Sequence, residues 1–371
     1  MADQNELRRL YHLKENPFSS RVQIDAPLVG RTEEQKAWKD ILANKAGARG
    51  CSLNFIIGDY GMGKTHALYH IKSDCERRGN LMSVIIKLLP EDEVKNFGMD
   101  FVRRIFKNLD SDAKKALVQT KKPRAASAFP EHVKIIQKYA ADDAIASRIL
   151  TGGKVSAREL TEAKIHAAMG NTETALEFLA VLLCMLHDAE TKSLVLCVDE
   201  AEYVFSQMNA RKAALVFNSL RAMYDLPESP NLGLRLQPLA NIIFFFAIST
   251  AGMEKLSKME KVEQHQGGPI QPLLTRIERK ISLARLTAAE TKNLVEEYLK
   301  TSRTTGERLS SPLIPYTKDF VDYVFDLTQG HPRSIVERCD YVIAEGIKDH
   351  IKEITKQYAK GVFDRLHLPT A

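Results

Sequence analysis

The sequence predicts an α/β fold built on a five-stranded parallel sheet, and three observations carry that expectation. Short apolar runs of strand length alternate with helical patterns along the chain. One run, residues 52–57 (SLNFII), leads into Gly58-Asp59-Tyr60-Gly61-Met62-Gly63-Lys64-Thr65, a G-x-x-x-x-G-K-T loop, with a helical pattern behind it. Another run, residues 194–198 (LVLCV), ends in Asp199-Glu200. Carboxylates at the C-terminal end of a parallel strand lie on the ligand-binding edge of such a sheet.

Each position of the glycine loop has a physical task. Glycines let the backbone turn so tightly that successive N–H groups point at one anion. Lys64 is placed to reach the β- and γ-phosphates, and the Thr65 hydroxyl to complete a magnesium shell. In the helix that follows, Leu68, Ile71 and Cys75 share one face, so the helix N-terminus faces the phosphates. Gly58, Asp59, Tyr60, Gly61, Met62, Gly63, Lys64, Thr65 and His66 are therefore the expected nucleotide contacts.

Bulk properties bound the rest. The chain has 371 residues, 44% hydrophobic and 27% charged, with net charge +6. That is an ordinary globular composition, long enough for two or three structural units, and basic enough to tolerate a nucleic-acid partner without requiring one. The five cysteines form no C-x-x-C pair and sit mostly in apolar runs, which reads as buried thiols in a reducing compartment. No apolar run approaches the ~20 residues that span a bilayer, and the polar residues 1–6 carry no signal-peptide pattern, so membrane insertion is not expected and the expected location is cytoplasmic.

In chain order, Leu7, Leu10 and Tyr11 could form one apolar face of a short helix before Asn16-Pro17-Phe18 breaks it. Leu28-Val29-Gly30-Arg31 follows, then Thr32-Glu33-Glu34-Gln35, a capping box opening a helix through Trp38, Ile41 and Leu42. This segment could close over an adenine ring or simply pack on the sheet. Residues 81–89 (LMSVIIKLL) read as the second strand. The sheet rhythm then stops, and residues 97–187 are helical in pattern, with a capping box at Ser156 and Glu159 and a helix apolar on nearly all sides at 172–187. Residues 114–124 (KKALVQTKKPR) hold five basic residues and no acid; a solvated face is the favoured reading and a phosphate-backbone contact the other.

Asp199 is expected to hold magnesium, directly or through water, and Glu200 to orient and activate the attacking water. Residues 241–248 (NIIFFFAI) form the fourth strand and end in Ser249-Thr250, a polar pair that could touch the γ-phosphate or cap the next helix. A Gln- and Gly-rich loop at 263–269 leads to Arg276 and Arg279 and a fifth strand at 281–283. Those arginines could be surface charges or could act in trans on a neighbour's nucleotide. From Thr287, itself opening a capping box with Glu290, the pattern is wholly helical. Gly330-His331-Pro332-Arg333 stops one helix and starts another, leaving Arg333 in a first turn, where a cation is unfavourable unless an anion is near.

These motifs together resemble the AAA+ ATPases: phosphate loop, VDE at the third strand, a polar end to the fourth, arginines before the fifth, and a helical lid with an arginine. The LVGR segment is similar to the origin-recognition initiator branch, KENPF to the secretion and transposition ATPases of that branch, and GDYGMGKTH with the insertion and DEAE to ATPases of BREX-type phage-exclusion systems. The resemblance implies a nucleotide-flanking N-terminal segment at 1–31, an AAA+ core at 32–285 interrupted by a helical insertion at about 90–191, and a lid at 286–371. It implies ATP and Mg2+ as cofactors, Thr65 and Asp199 at the metal, Lys64 and Glu200 in catalysis, Thr250 or Ser249 as sensor 1, Arg276 with Arg279 as second candidate for the arginine finger, and Arg333 as sensor 2. Sensor 1 lacks the family's common Asn. No winged helix follows the lid residues, so a DNA contact is expected from the insertion, the pore-facing surface or a partner. The implied partners are further copies of the chain in a ring or filament, DNA, and a nuclease, helicase or transposase-type protein in replication, transposition or antiviral defence.

Overall fold

A computed structural model of the chain describes residues 4–19, 27–48, 50–89, 96–163, 168–203, 210–263, 271–304 and 309–368. The N-terminal loop at 20–26, the first residues of the expected insertion (90–95) and the Gln- and Gly-rich loop at 264–269 lie outside the described residues. Five strands form one parallel sheet: β1 (Cys51–Ile57), β2 (Leu81–Lys87), β3 (Ser193–Asp199), β4 (Asn241–Ile248) and β5 (Ile277–Ser282), in the order β2-β3-β4-β1-β5. The principal helices are α1 (Gln4–Tyr11), α2 (Thr32–Lys45), α3 (Lys64–Arg78), α4 (Phe97–Lys107), α5 (Ser111–Gln119), α6 (Pro130–Ala140), α7 (Ala144–Thr151), α8 (Ala157–Glu162) and α9 (Thr172–Asp188). They continue with α10 (Ala210–Tyr224), α11 (Thr250–Glu263), α12 (Ala288–Thr301), α13 (Lys318–Thr328), α14 (Pro332–Lys348) and α15 (Lys356–Arg365).

The chain divides into two compact units. One comprises Lys36–Ile57 and Leu68–Ser282; the other comprises Met1–Gln35, Gly58–Ala67 and Leu283–Ala371. The first holds the sheet. β3 and β4 are buried along their whole length, which is why both read as unbroken apolar runs rather than alternating ones. β5 is an edge strand, and it begins four residues earlier than the apolar pattern indicated. Its residues 278–280 are exposed Glu, Arg and Lys, so only Ile281 carried a strand signal. A register shift opposite Leu53 and Asn54 lets Glu278 pair with Lys45 at 2.7 Å and accept from the Ser52 hydroxyl at 3.1 Å.

Helices fill the chain between β2 and β3, and their apolar faces are continuous with the sheet's core. Phe97, Phe101, Ile105 and Phe106 of α4 and the run from Phe178 to Leu186 of α9 belong to one buried cluster with Leu196 and Phe244 of the strands. α9 is apolar all round because it is enclosed all round. Burying a side chain such as Phe178 stabilises the fold by roughly 1.5–3 kcal/mol. The polar residues of this stretch mostly serve its helix ends: Ser156 and Glu159 form the expected capping box, and Asp110, Asp143 and Asn171 cap α5, α7 and α9. All five cysteines are free and buried, and burial pushes the Cys51 thiol up to about 12.

The second unit has its own core. α12 to α15 supply Leu294, Phe320, Ile335 and Phe363, and the N-terminal segment inserts Leu7, Leu10, Tyr11, Leu13 and Phe18 among them. Phe18 stacks on Tyr298, with ring centroids 5.6 Å apart, and meets Tyr316 edge-on. Asn16 fixes this turn by accepting from the Phe18 N–H at 3.0 Å and donating to Asp340 at 2.6 Å, while the Tyr11 hydroxyl donates to the Ile351 carbonyl at 2.7 Å. α2 starts at Thr32, the Arg31 carbonyl accepts from the Gln35 N–H at 2.8 Å, and the Gln35 side chain donates to the Leu28 carbonyl at 3.0 Å. Between α13 and α14 the chain turns through Gln329 (φ 50°) and Gly330 (φ 72°). A Cβ at Gly330 would lie 1.8 Å from the Leu286 carbonyl oxygen, so only glycine fits. Thr287 and Glu290 cap α12 as expected.

Candidate nucleotide site

The loop from Gly58 to Thr65 leaves the C-terminal end of β1 and becomes α3 at Lys64. Gly61 and Gly63 adopt φ of 79° and 89°, the left-handed region that L-residues avoid. Lys64 Nζ donates back to the carbonyls of Gly58 at 2.9 Å and Asp59 at 3.3 Å, so the ammonium lies within the curl of the loop. α3 carries no acidic residue in its first turn, which leaves the positive end of its dipole uncompensated by its own side chains.

The start of α14 closes on this loop within the same compact unit. His331 is the N-cap of α14 and accepts from the Ser334 N–H through Nδ1; its Nε2 lies 2.8 Å from the Tyr60 carbonyl. Arg333 donates its backbone N–H to the Gly61 carbonyl at 3.3 Å and holds its guanidinium over the Tyr60 ring, 4.8 Å from the centroid. Arg333 Nε donates to Glu337 at 2.7 Å, and that carboxylate and the Tyr60 hydroxyl both raise the guanidinium's pKa. Arg31, only 3% exposed, donates to the Met62 carbonyl at 3.3 Å and pairs with Glu34 at 3.3 Å. Burial pushes the Arg31 pKa down and the carboxylates of Glu34 and Glu290 oppose that. No spacing or composition singles out Arg31, His331 or the Tyr60–Arg333 pair in advance.

On the sheet, β3 ends on the same edge as β1 and β4, since all are parallel and Val198 lies level with Phe246 while Ile57 lies level with Ile248. Asp199 is 5% exposed, and its Oδ1 accepts from the Glu200 N–H at 3.0 Å. Glu200 has φ 57°. The other non-glycine residues with positive φ include Asp142, Glu190 and Gln329, each just past a helix end, where that geometry is a routine stop; Glu200 instead follows directly on a strand. A left-handed non-glycine residue costs ~1–2 kcal/mol and is typical of functional sites. Ala201 N–H then donates to the Ala247 carbonyl at 3.0 Å, fixing the residue after Glu200 to the end of β4. Glu202, two positions on, buries Oε2 without a hydrogen-bond partner among the described residues. Ser249 caps α11, its Oγ accepting from Gly252 N–H at 3.1 Å, and Thr250 is exposed in the first turn.

The two candidate finger arginines differ in setting. Arg276 pairs with Asp225 of its own chain at 2.9 Å and lies over the Tyr224 ring at 4.9 Å. Arg279, expected ahead of the strand, lies inside β5 and is exposed on the edge of the sheet. In the basic run, Lys114 pairs with Asp142 at 2.7 Å, Lys115 with Asp112 at 3.0 Å and Arg124 with Asp188 at 2.6 Å, whereas Lys121 and Lys122 are exposed. Among the described residues no helix is long and apolar enough to cross a membrane.

No protein-family model and no curated protein matches the sequence. Solved structures do match the architecture. The Aeropyrum pernix ORC2 protein superposes over 95% of this chain and 72% of its own, with a TM-score of 0.55 and 16% identity. The Pyrobaculum aerophilum Cdc6p structure covers 94% and 70%, with a TM-score of 0.51 and 12% identity. The chain shares the α/β fold of these structures. The Aeropyrum pernix ORC1 protein, solved in complex with DNA, is similar over 95% of this chain and 69% of its own, with a TM-score of 0.50 and 12% identity. At these identities the likeness concerns the fold and not the residues on it.

Proposed function

We propose that this chain is a magnesium-dependent ATPase that binds ATP at subunit interfaces and uses its hydrolysis to drive or regulate assembly in a DNA transaction. The observation that carries this reading is the loop itself: Gly61 and Gly63 in the left-handed region, Lys64 opening α3, and the strand before it ending on the sheet edge where the buried Asp199 also lies. Backbone N–H groups of Gly58 to His66 and the Lys64 ammonium would hold the phosphates, and Thr65 and Asp199 suit the oxygen shell that Mg2+ requires. Mg2+ would supply charge neutralisation at the phosphates. Glu200, held apart from ordinary backbone geometry, would orient the attacking water, with Thr250 or Ser249 beside it. Arg333 would contact the phosphates from the lid, and Arg276 or Arg279 would reach the nucleotide of a neighbouring copy.

Lys64→Ala is expected to abolish measurable nucleotide binding by fluorescent-nucleotide titration. Glu200→Gln is expected to bind ATP normally and to lower turnover by about 10²–10⁴-fold; wild-type turnover in that variant would remove the water-activating role. Mixing Lys64→Ala subunits with Arg276→Ala or Arg279→Ala subunits should restore part of the activity for whichever arginine acts in trans, because some mixed interfaces then join an intact loop to an intact finger.

A second reading, an ATP-dependent switch that recruits a protein without touching DNA, is favoured by the basic run. Three of its charges pair with carboxylates of the same chain, although Lys115 and Arg124 stay exposed along with Lys121 and Lys122. Against it stands the likeness to a protein solved with DNA. Binding to a DNA duplex across a salt series separates the two: the first reading predicts affinity that falls steeply with salt, the second no binding at any salt concentration.

A further inference from the structure

Tyr60 is 73% exposed, more than any other large apolar side chain among the described residues. Its ring is nevertheless occupied on one face. The Arg333 guanidinium lies over it, Nη1 donates to the Tyr60 hydroxyl, and Nε is held by Glu337 at 2.7 Å. The backbone repeats the connection, since the carbonyl of Tyr60 meets His331 and the carbonyl of Gly61 accepts from Arg333 N–H. The lid arginine therefore has a ring, a hydroxyl and a carboxylate before any phosphate is considered. A phosphate can recruit it only by taking it from them.

We propose that Tyr60 is a holding platform for Arg333, and that ATP binding trades this arginine from Tyr60 and Glu337 to the γ-phosphate. Tyr60 thereby sets how strongly the lid distinguishes ATP from ADP. This rests on the reading of residues 58–65 as the nucleotide site. The physical basis is competition for one cation: a cation–π contact and a hydrogen bond made in the held position count against the phosphate-bound position. ADP lacks the γ-phosphate and does not enter this competition, so Tyr60 and Arg333 are uncoupled in ADP binding. Tyr60 acts through Arg333 and is a positioning residue.

The test is a double-mutant cycle read by the Kd of ATP and of ADP, with thermal melts confirming that each variant is folded. Tyr60→Ala should tighten ATP binding relative to ADP binding by about two- to fivefold, the range of an exposed cation–π contact. Tyr60→Phe, which keeps the ring and loses the hydroxyl, should fall between. In an Arg333→Ala background the Tyr60→Ala gain should vanish. ATP binding that weakens relative to ADP in Tyr60→Ala, equal shifts for ATP and ADP, or a gain that persists without Arg333 would each overturn the proposal. Those failures leave intact the wild-type binding and its loss in Lys64→Ala. Failure of the underlying site reading is different: Lys64→Ala would bind as wild type does, or wild type would bind neither nucleotide, and both readings would fall.

Discussion

The glycine-rich loop at 58–65 and the helices between β2 and β3 place their charges in opposite ways. Along α4 to α9, polar groups are consumed locally: aspartates and asparagines cap helices, and Lys114, Lys115 and Arg124 each find a carboxylate. The apolar remainder is buried with the sheet. Around Gly58 to Thr65 the arrangement is reversed. Two glycines hold left-handed geometry, Lys64 curls onto loop carbonyls, and a tyrosine stands exposed beneath an arginine. The first region has the physics of a scaffold and the second that of a binding site. Basic residues in a row say little until their partners are known, whereas unusual backbone geometry at one point says a good deal.

This contrast can be broken in a definite order. Phe178→Ala, in the middle of α9, should have the largest effect on stability, about 3–5 kcal/mol in urea unfolding, with nucleotide affinity of the folded protein unchanged. A loss of affinity there would mean that the helices between β2 and β3 are more than scaffold. Gly61→Ala should cost less in stability, about 1–2 kcal/mol for a left-handed alanine, yet it should impair nucleotide binding severely. Its Cβ would stand 2.6 Å from His331 and 2.9 Å from the Arg333 Cβ, prising α14 off the loop.

The smallest effect belongs to a capping carboxylate. Glu159 accepts from the Ser156 backbone N–H and pairs with Arg148, which holds its pKa down to about 2 from 4.5. A lowered pKa means the contribution is fully present above about pH 4.5 and is lost as pH falls through about 2. The melting-temperature gap between wild type and Glu159→Gln should therefore be constant from pH 7 to pH 5 and close on further acidification. A gap that widened in acid would contradict the pairing.

Legibility in the sequence followed burial. β3 and β4 were readable almost to the residue because they are enclosed on both faces and consist of apolar runs. β5 was misplaced because its first half is charged and faces water. Gly330, Pro332 and Arg333 were readable because turn chemistry is local. What could not be read was nonlocal: Arg276 with Asp225 fifty-one positions away, Arg333 with Tyr60, and Phe18 among the C-terminal helices. Glu200 was legible as a residue type and place, but its left-handed backbone was not.

The discontinuous makeup of the second unit bears on how the protein is made. Tyr11 and Ile351, joined by a hydrogen bond, are 340 residues apart. The sheet-bearing unit ends at Ser282. The core of the unit holding the loop at 58–65 draws on both α1 and α15. During synthesis, which proceeds from the N-terminal side, Leu7, Tyr11 and Phe18 cannot make these contacts until α12 to α15 have emerged. Contacts of such sequence separation form slowly. The surroundings of the loop at 58–65 are thus completed by contacts from opposite ends of the sequence.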